Sequence, residues 1–327
     1  MLRLLFVFLS CSSQAEIAAT LRPLIIAHRG ASGYLPEHTR PAYELAIHQG
    51  ADFIEPDLVS SKDGALIVRH ENNIADTTDV AQKFPQRKTT KIIDGEKITG
   101  FFTEDFTLQE LKTLRAKERL PHRSHLHDGQ FELLTFAEVL EIAKAHGVGV
   151  YPETKHPTYF RSIGLPLEEN LLKELRVRGL DQIGAAVIVQ SFELGNLFNI
   201  HQSALFLKLV YLLEEPERQP FDHVTVGDPR LYGDMVMVET LRSVSSLLYG
   251  IGPHKRMIVP EVKGHLAGPT QLISNAHKRG LVVHPYAFRS DKEFLHQDYG
   301  DNFSREYEQF VKLVVDGFFT DFSKNVV

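Results

Sequence analysis

The 327-residue chain has a single cysteine, Cys11, so no disulfide framework can hold its fold. Basic residues are outnumbered: 36 Lys and Arg stand against 42 Asp and Glu, for a formal net charge of -6. A nucleic-acid binder needs clustered cations to neutralise successive phosphates, so that class is excluded. A small anionic substrate must be held by local charges. No segment beyond the first residues has the ~18 consecutive apolar residues that a membrane-spanning helix requires. Neither a G-x-G-x-x-G nor a Walker A sequence occurs, which removes the phosphate loop that usually follows the first strand of a doubly wound sheet.

What is present is a globular composition, 43% hydrophobic and 24% charged, with material for one large domain or two ordinary ones. The start reads as an export leader over residues 1–15: Arg3, an apolar stretch Leu4 to Leu9, then Ser13-Gln14-Ala15 as the cleavage site. The remaining chain, 16–327, reads as one domain. Lipidation at Cys11 is the weaker alternative, because Phe8-Leu9-Ser10 is a poor lipoprotein signal.

Short β-branched runs recur: Leu24 to Ala27, Phe53 to Ile54, Leu66 to Val68, Val148 to Val150, Ala186 to Val189, Leu205 to Val210, Leu281 to Val283 and Gly317 to Phe319. Helical stretches such as Thr135 to His146 and Thr270 to Arg279 lie between most of them. Alternation of this kind means parallel strands with crossover helices, and a TIM-type (β/α)8 barrel fits best. One connection breaks the pattern. Only Ser60 to Ala65 separates Asp57-Leu58-Val59 from Leu66-Ile67-Val68, and Asp63-Gly64 is a hairpin signal. Parallel neighbours need a crossover of about a dozen residues, so Phe53 to His70 is expected to overshoot the rim and fold back, returning His70 to the mouth. With the hairpin counted once and Tyr249 to Ile251 taken as a weak strand, eight strands result.

The stretch from Glu71 to Gln130 is polar and too long for an ordinary loop. It is expected to be an inserted subdomain, 71–130, covering the active-site face. Its His122, His125 and His127 invite comparison with a metal site, but Pro121 and Asp128-Gly129 beside them favour a solvated loop.

Three segments carry chemistry. Leu24 to Ala27 ends in His28-Arg29-Gly30, where a barrel puts catalytic groups and where glycine allows close backbone approach. Taken alone, a histidine there is more often a structural residue. In Glu55-Pro56-Asp57, side chains at i and i+2 share a strand face. Two acids so close repel unless a cation compensates, which points to a hard divalent ion; the alternative pairs one acid with Arg29 or Lys155 and leaves the other solvated. In Glu153-Thr154-Lys155, Glu153 can complete a three-carboxylate site and Lys155 can face a phosphate oxygen, or the two can simply pair.

Together these segments resemble the glycerophosphodiester phosphodiesterase family, and within it the bacterial periplasmic enzymes, over nearly the whole chain after the leader. The matching stretches run from His28 to Thr39, Gly50 to Val59, Lys62 to His70, Gln190 to Leu194, Val283 to Arg289 and Val315 to Asp321. The resemblance implies a TIM-type barrel in which Glu55, Asp57 and Glu153 are metal ligands and His28 and His70 an acid/base pair, with Arg29 and Lys155 near the phosphate. It implies one divalent cation, Ca²⁺ favoured and Mg²⁺ the alternative, a periplasmic or secreted location, and a small-molecule glycerophosphodiester as substrate. The chain departs from the family pattern at His38, where Asn is usual, at Glu71, where Asp commonly stands, and at Ala287, often Thr. Two rivals are a related enzyme acting on lysophospholipids or sphingomyelin, which needs an apolar cleft for acyl chains, and a non-catalytic barrel that merely binds glycerophosphodiesters.

Overall fold

The computed structural model describes residues 22–326; the expected leader, with Cys11, lies outside the described residues. In chain order the strands are β1 (Leu24–His28), β2 (Phe53–Glu55), β3 (Asp57–Ser60), β4 (Leu66–Val68), β5 (Thr89–Ile93), β6 (Glu96–Gly100), β7 (Gly149–Val150), β8 (Glu153–Thr154), β9 (Ile188–Ser191), β10 (Lys208–Leu213), β11 (Gly250–Pro253), β12 (Glu261–Val262), β13 (His265–Leu266), β14 (Val282–Val283) and β15 (Gly317–Thr320). β2 and β3 are one strand interrupted at Pro56, and β7 and β8 one strand interrupted at Tyr151-Pro152. Proline brings no N–H to the ladder, so both neighbours break at the same height. Counting each as one, eight strand positions run in parallel through β1, β2/β3, β7/β8, β9, β10, β11, β14 and β15, and β15 pairs back onto β1. Parallel bridges His254 to Tyr286 and Phe288 to Thr320 close the ring beyond β14. The expected (β/α)8 barrel is formed.

Ile26, Tyr151, Ile188, Val210 and Phe319 meet as a separate buried cluster, one side chain from each of five strand positions. This plug fills the barrel interior, as layered apolar side chains do in this architecture. A much larger cluster joins the outer strand faces to the helices. The helix Phe136–His146 shows how local sequence sets its place: Thr135 and Glu138 form a capping box, and Gly147, at φ 67°, ends it in the left-handed region. Its buried face carries Phe136, Val139, Leu140 and Ala143 at helical spacing.

β3 and β4 pair antiparallel through Leu58 with Val68, Val59 with Ile67 and Ser60 with Leu66. Arg69 N–H then donates to Asp57 O at 3.0 Å, so the returning strand leaves His70 beside Asp57, as the hairpin reading requires. Residues 71–130 carry the β5–β6 hairpin and a helix, Leu108–Lys112, with its own capping box. Phe101, Phe102, Phe106, Leu111 and Leu114 from this stretch are buried in the same cluster as the barrel. The segment is therefore packed onto the barrel rather than standing apart from it. Two strands start two or more residues later than the sequence reading has them: β9 at Ile188 instead of Ala186, and β10 at Lys208 instead of Leu205, the latter because Leu205 and Phe206 belong to the exposed turn after helix Leu194–Ser203. Apolar composition continued across an element boundary that the backbone does not ignore.

Gly30 turns the chain at the end of β1 with φ 86°, and a Cβ there would lie 2.7 Å from the Ala42 carbonyl carbon. Gly30→Ala combines a left-handed conformation with a backbone clash, and is expected to destabilise the fold by about 2 kcal/mol or more. The urea midpoint should fall with an unchanged slope; an unchanged midpoint contradicts the close-approach argument.

Candidate active site

Strand register brings the acids together. His28 lies opposite Glu55, Asp57 opposite Glu153, and Glu153 opposite Gln190, so adjacent strands deliver these groups at one level of the C-terminal mouth. Glu55, Asp57 and Glu153 are all buried, and each offers a carboxylate oxygen within 4.8 Å of the others. The alternative with one solvated acid is not what forms. Glu55 accepts from the Arg29 N–H at 2.9 Å and from Gln190 Nε2 at 3.2 Å. Asp57 Oδ2 faces His38 Nε2 at 2.8 Å and Arg29 Nε at 3.3 Å. Its Oδ1 is buried without a hydrogen-bond partner.

An unsatisfied buried carboxylate oxygen is costly unless a cation meets it. Burial, reinforced by Asp57 and Glu153, pushes the Glu55 carboxyl well above its ordinary range. Burial does the same for Glu153, up to about 8, with Lys155 opposing and Asp57 adding to the rise. Asp57 goes the other way: burial raises it, but the hydrogen bond from His38 and the charge of Arg29 outweigh that and hold it well below. Without added positive charge, this cluster retains protons. An all-carboxylate donor set with a free, inward-facing oxygen fits a hard divalent ion of the Ca²⁺ or Mg²⁺ kind.

Two histidines flank the acids, each backed by a carboxylate. His28 Nδ1 lies 2.6 Å from Asp321 Oδ1, and His70 Nδ1 lies 2.8 Å from Glu71 Oε1. Burial and Arg29 lower His28 to about 4 despite Asp321. Burial, Arg29 and Lys155 lower His70 to about 3. Both rings are therefore neutral at neutral pH. With an ionised acid on Nδ1, the proton sits on Nδ1 and the lone pair on Nε2. Lys155 Nζ bridges the two halves of the site, 2.9 Å from Glu153 Oε1 and 3.3 Å from His70 Nε2. Arg29 is held on its outer side by Glu37 at 3.0 Å.

A cavity of about 50 Å³ opens between them, lined among others by His28, Glu55, His70, Glu153, Gln190 and Tyr286. Tyr286 also borders a larger neighbouring cavity of about 360 Å³, and its hydroxyl donates to Leu213 O at 3.0 Å. All seven residues expected at the site, His28, Arg29, Glu55, Asp57, His70, Glu153 and Lys155, thus converge. His122, His125 and His127 do not: His125 is exposed and His127 half-buried, and their hydrogen bonds go to Asp128 and Gln130.

Sequence reasoning missed the supports. Asp321, at the end of β15, takes His28 on one oxygen, and Arg123 at 2.6 Å and Arg289 at 3.0 Å on the other. Burial raises its carboxyl, but Arg289, His28 and Arg123 hold it well below the ordinary range. An acid at a strand end was the available signal. His38, fully buried, orients Asp57 while its Nδ1 meets the Tyr43 hydroxyl at 2.8 Å; no local pattern marks that contact.

A family model described as the glycerophosphoryl diester phosphodiesterase family matches residues 28–325. A glycerophosphodiester phosphodiesterase of Arabidopsis thaliana is 39% identical over 93% of this chain and 85% of its own length. One from Haemophilus influenzae is 32% identical over 87% and 85%. The solved structure of an Oleispira antarctica phosphodiesterase, in complex with the product sn-glycerol-3-phosphate, superposes with a TM-score of 0.63 at 18% identity, covering 94% of this chain and 96% of that one.

The raised Glu153 carboxyl fixes the sign of a pH effect. A cation must displace the proton that Glu153 keeps up to about 8, so binding is expected to release protons and to strengthen as pH rises toward that value. Calorimetric titration of the metal-free protein with Ca²⁺ at two pH values checks this. An affinity independent of pH contradicts the buried-carboxylate account.

Proposed function

The chain belongs to the glycerophosphoryl diester phosphodiesterase family, and from that premise we propose that it hydrolyses glycerophosphodiesters, such as glycerophosphocholine or glycerophosphoethanolamine, to glycerol 3-phosphate and an alcohol. The observation that carries this reading is the meeting of a buried three-carboxylate cluster with two carboxylate-backed histidines in one cavity. Glu55, Asp57 and Glu153 are the proposed ligands of one divalent cation, Ca²⁺ in the first place and Mg²⁺ as the alternative. Bound there, the cation supplies fixed positive charge for the phosphoryl oxygens.

A phosphodiester resists attack because its negative charge repels nucleophiles. Lys155 and Arg29, both buried, offset that charge away from bulk solvent, where such interactions gain most. His28 and His70 handle the protons, each contributing roughly 10²- to 10⁴-fold. A neutral ring with Nε2 free accepts the proton of the attacking hydroxyl. The ring that protonates the departing alcohol must first be charged, and the anionic phosphate beside it favours that form. The larger cavity past Tyr286 offers room for the departing group.

The periplasmic branch of the family and export through residues 1–15 belong to the same proposal. Support for export comes from Arg3, the apolar run Leu4 to Leu9, and the lack of cysteine after Cys11. Bacterial and plant relatives both match at length.

Chelated protein is expected to be inactive on glycerophosphocholine and to recover with Ca²⁺ or Mg²⁺. His28→Ala and His70→Ala should each lower kcat by about 10²-fold or more with cation binding unchanged. Activity indifferent to chelation, or near-normal turnover in either variant, sinks the corresponding assignment.

A further inference from the structure

His156 follows Lys155 and takes no part in the chemistry proposed above, yet it is held from both sides. Its Nε2 lies 2.9 Å from Glu71 Oε2, and its Nδ1 lies 2.6 Å from Asp94 Oδ2. Glu71 uses its other oxygen, Oε1, for His70 Nδ1 at 2.8 Å. The four side chains form one unbroken line from the cavity outward: His70, Glu71, His156, Asp94.

A ring between two carboxylates donates from both nitrogens only as an imidazolium. Burial opposes that charge, but the hydrogen bonds to Asp94 and Glu71 prevail and raise His156 to about 9. Glu71 is correspondingly depressed: burial raises it, while His156 and His70 pull it further down. The arrangement needs unusual backbone at both ends. His156 has φ 49° and Asp94 has φ 47°, values uncommon outside glycine although His and Asp tolerate them better than most. Asp94-Gly95 is the turn of the β5–β6 hairpin, so the tip of the 71–130 segment is what reaches His156.

The second histidine has the same kind of support. Asp321, behind His28, is clamped by Arg123 and Arg289. Glu71, behind His70, has a side chain 44% exposed, and a carboxylate at the rim keeps no single orientation with one partner. His156, only 17% exposed, provides the second.

We propose that His156, anchored by Asp94, is a positioning residue for His70: it fixes Glu71 so that His70 keeps its proton on Nδ1 and presents Nε2 to the cavity. This rests on the reading of His70 as a proton-transferring group. The two are separable, because His70→Ala tests that reading by itself.

The test uses the full-length, cation-loaded enzyme with glycerophosphocholine. His156→Ala is expected to lower kcat by roughly 10- to 100-fold, as loss of an orienting partner typically does, with KM and divalent-cation affinity unchanged. On a His70→Ala background the same substitution should cost nothing further, since both act through one group. Nitrogen-15 spectra of labelled histidine should show the His70 ring, assigned by its absence in His70→Ala, leaving the pure Nδ1–H tautomer. Asp94→Asn, nearly isosteric, should show the same changes more weakly and serves if His156→Ala does not fold. Unchanged kcat in His156→Ala, an equal loss on the His70→Ala background, or an unaltered His70 tautomer overturns the proposal. Near-normal turnover in His70→Ala overturns the underlying assignment of His70 instead.

Discussion

Three carboxylates, buried and offering oxygens within 4.8 Å of one another, are the constraint around which the mouth of this barrel is organised. Coulomb repulsion at that range is large wherever water is excluded, and every neighbour of the cluster answers it. Arg29 gives its backbone N–H to Glu55 and its side chain to Asp57. His38 meets Asp57, and Lys155 meets Glu153. These contacts hold Asp57 ionised but leave Glu55 and Glu153 short of positive charge. A divalent cation would repair that deficit, and its charge would also be available to a phosphate.

Around that centre the histidines are built alike. Each neutral ring points Nδ1 at a carboxylate, and each carboxylate is pinned by cations that lie outside the cavity. The 71–130 segment supplies part of both supports, Arg123 for Asp321 and Asp94 for His156. The polar segment expected to cover the active-site face is thereby tied to the two histidines proposed to transfer protons. Rigidity at such groups matters because a displacement of ~1 Å can cost about 10²-fold in rate.

The barrel and the residues at its mouth were legible because they rest on local rules, while grouping the three acids as one candidate cation site took the family resemblance. Strand ends marked His28, Glu55 and Glu153; i and i+2 spacing put Glu55 beside Asp57; and the Asp63-Gly64 turn explained how His70 returns. Supporting contacts were illegible for the opposite reason. His28 and Asp321 are separated by 293 positions, and His156 and Asp94 by 62; neither pair leaves a periodic trace, since only the closed barrel and the docked hairpin bring them together. The misplaced start of β10 has a similar origin, because Leu205 and Phe206 extend an apolar run past the point where the backbone is still a turn.

The most direct test of the account is anomalous diffraction from crystals grown with Ca²⁺ or with Mn²⁺ as its more strongly scattering substitute. One peak is predicted among Glu55, Asp57 and Glu153, at about 2.0–2.6 Å from their oxygens, with Asp57 Oδ1 among the ligands. Crystals of active enzyme in which the ion binds elsewhere, or in which Asp57 Oδ1 stays uncoordinated, contradict it.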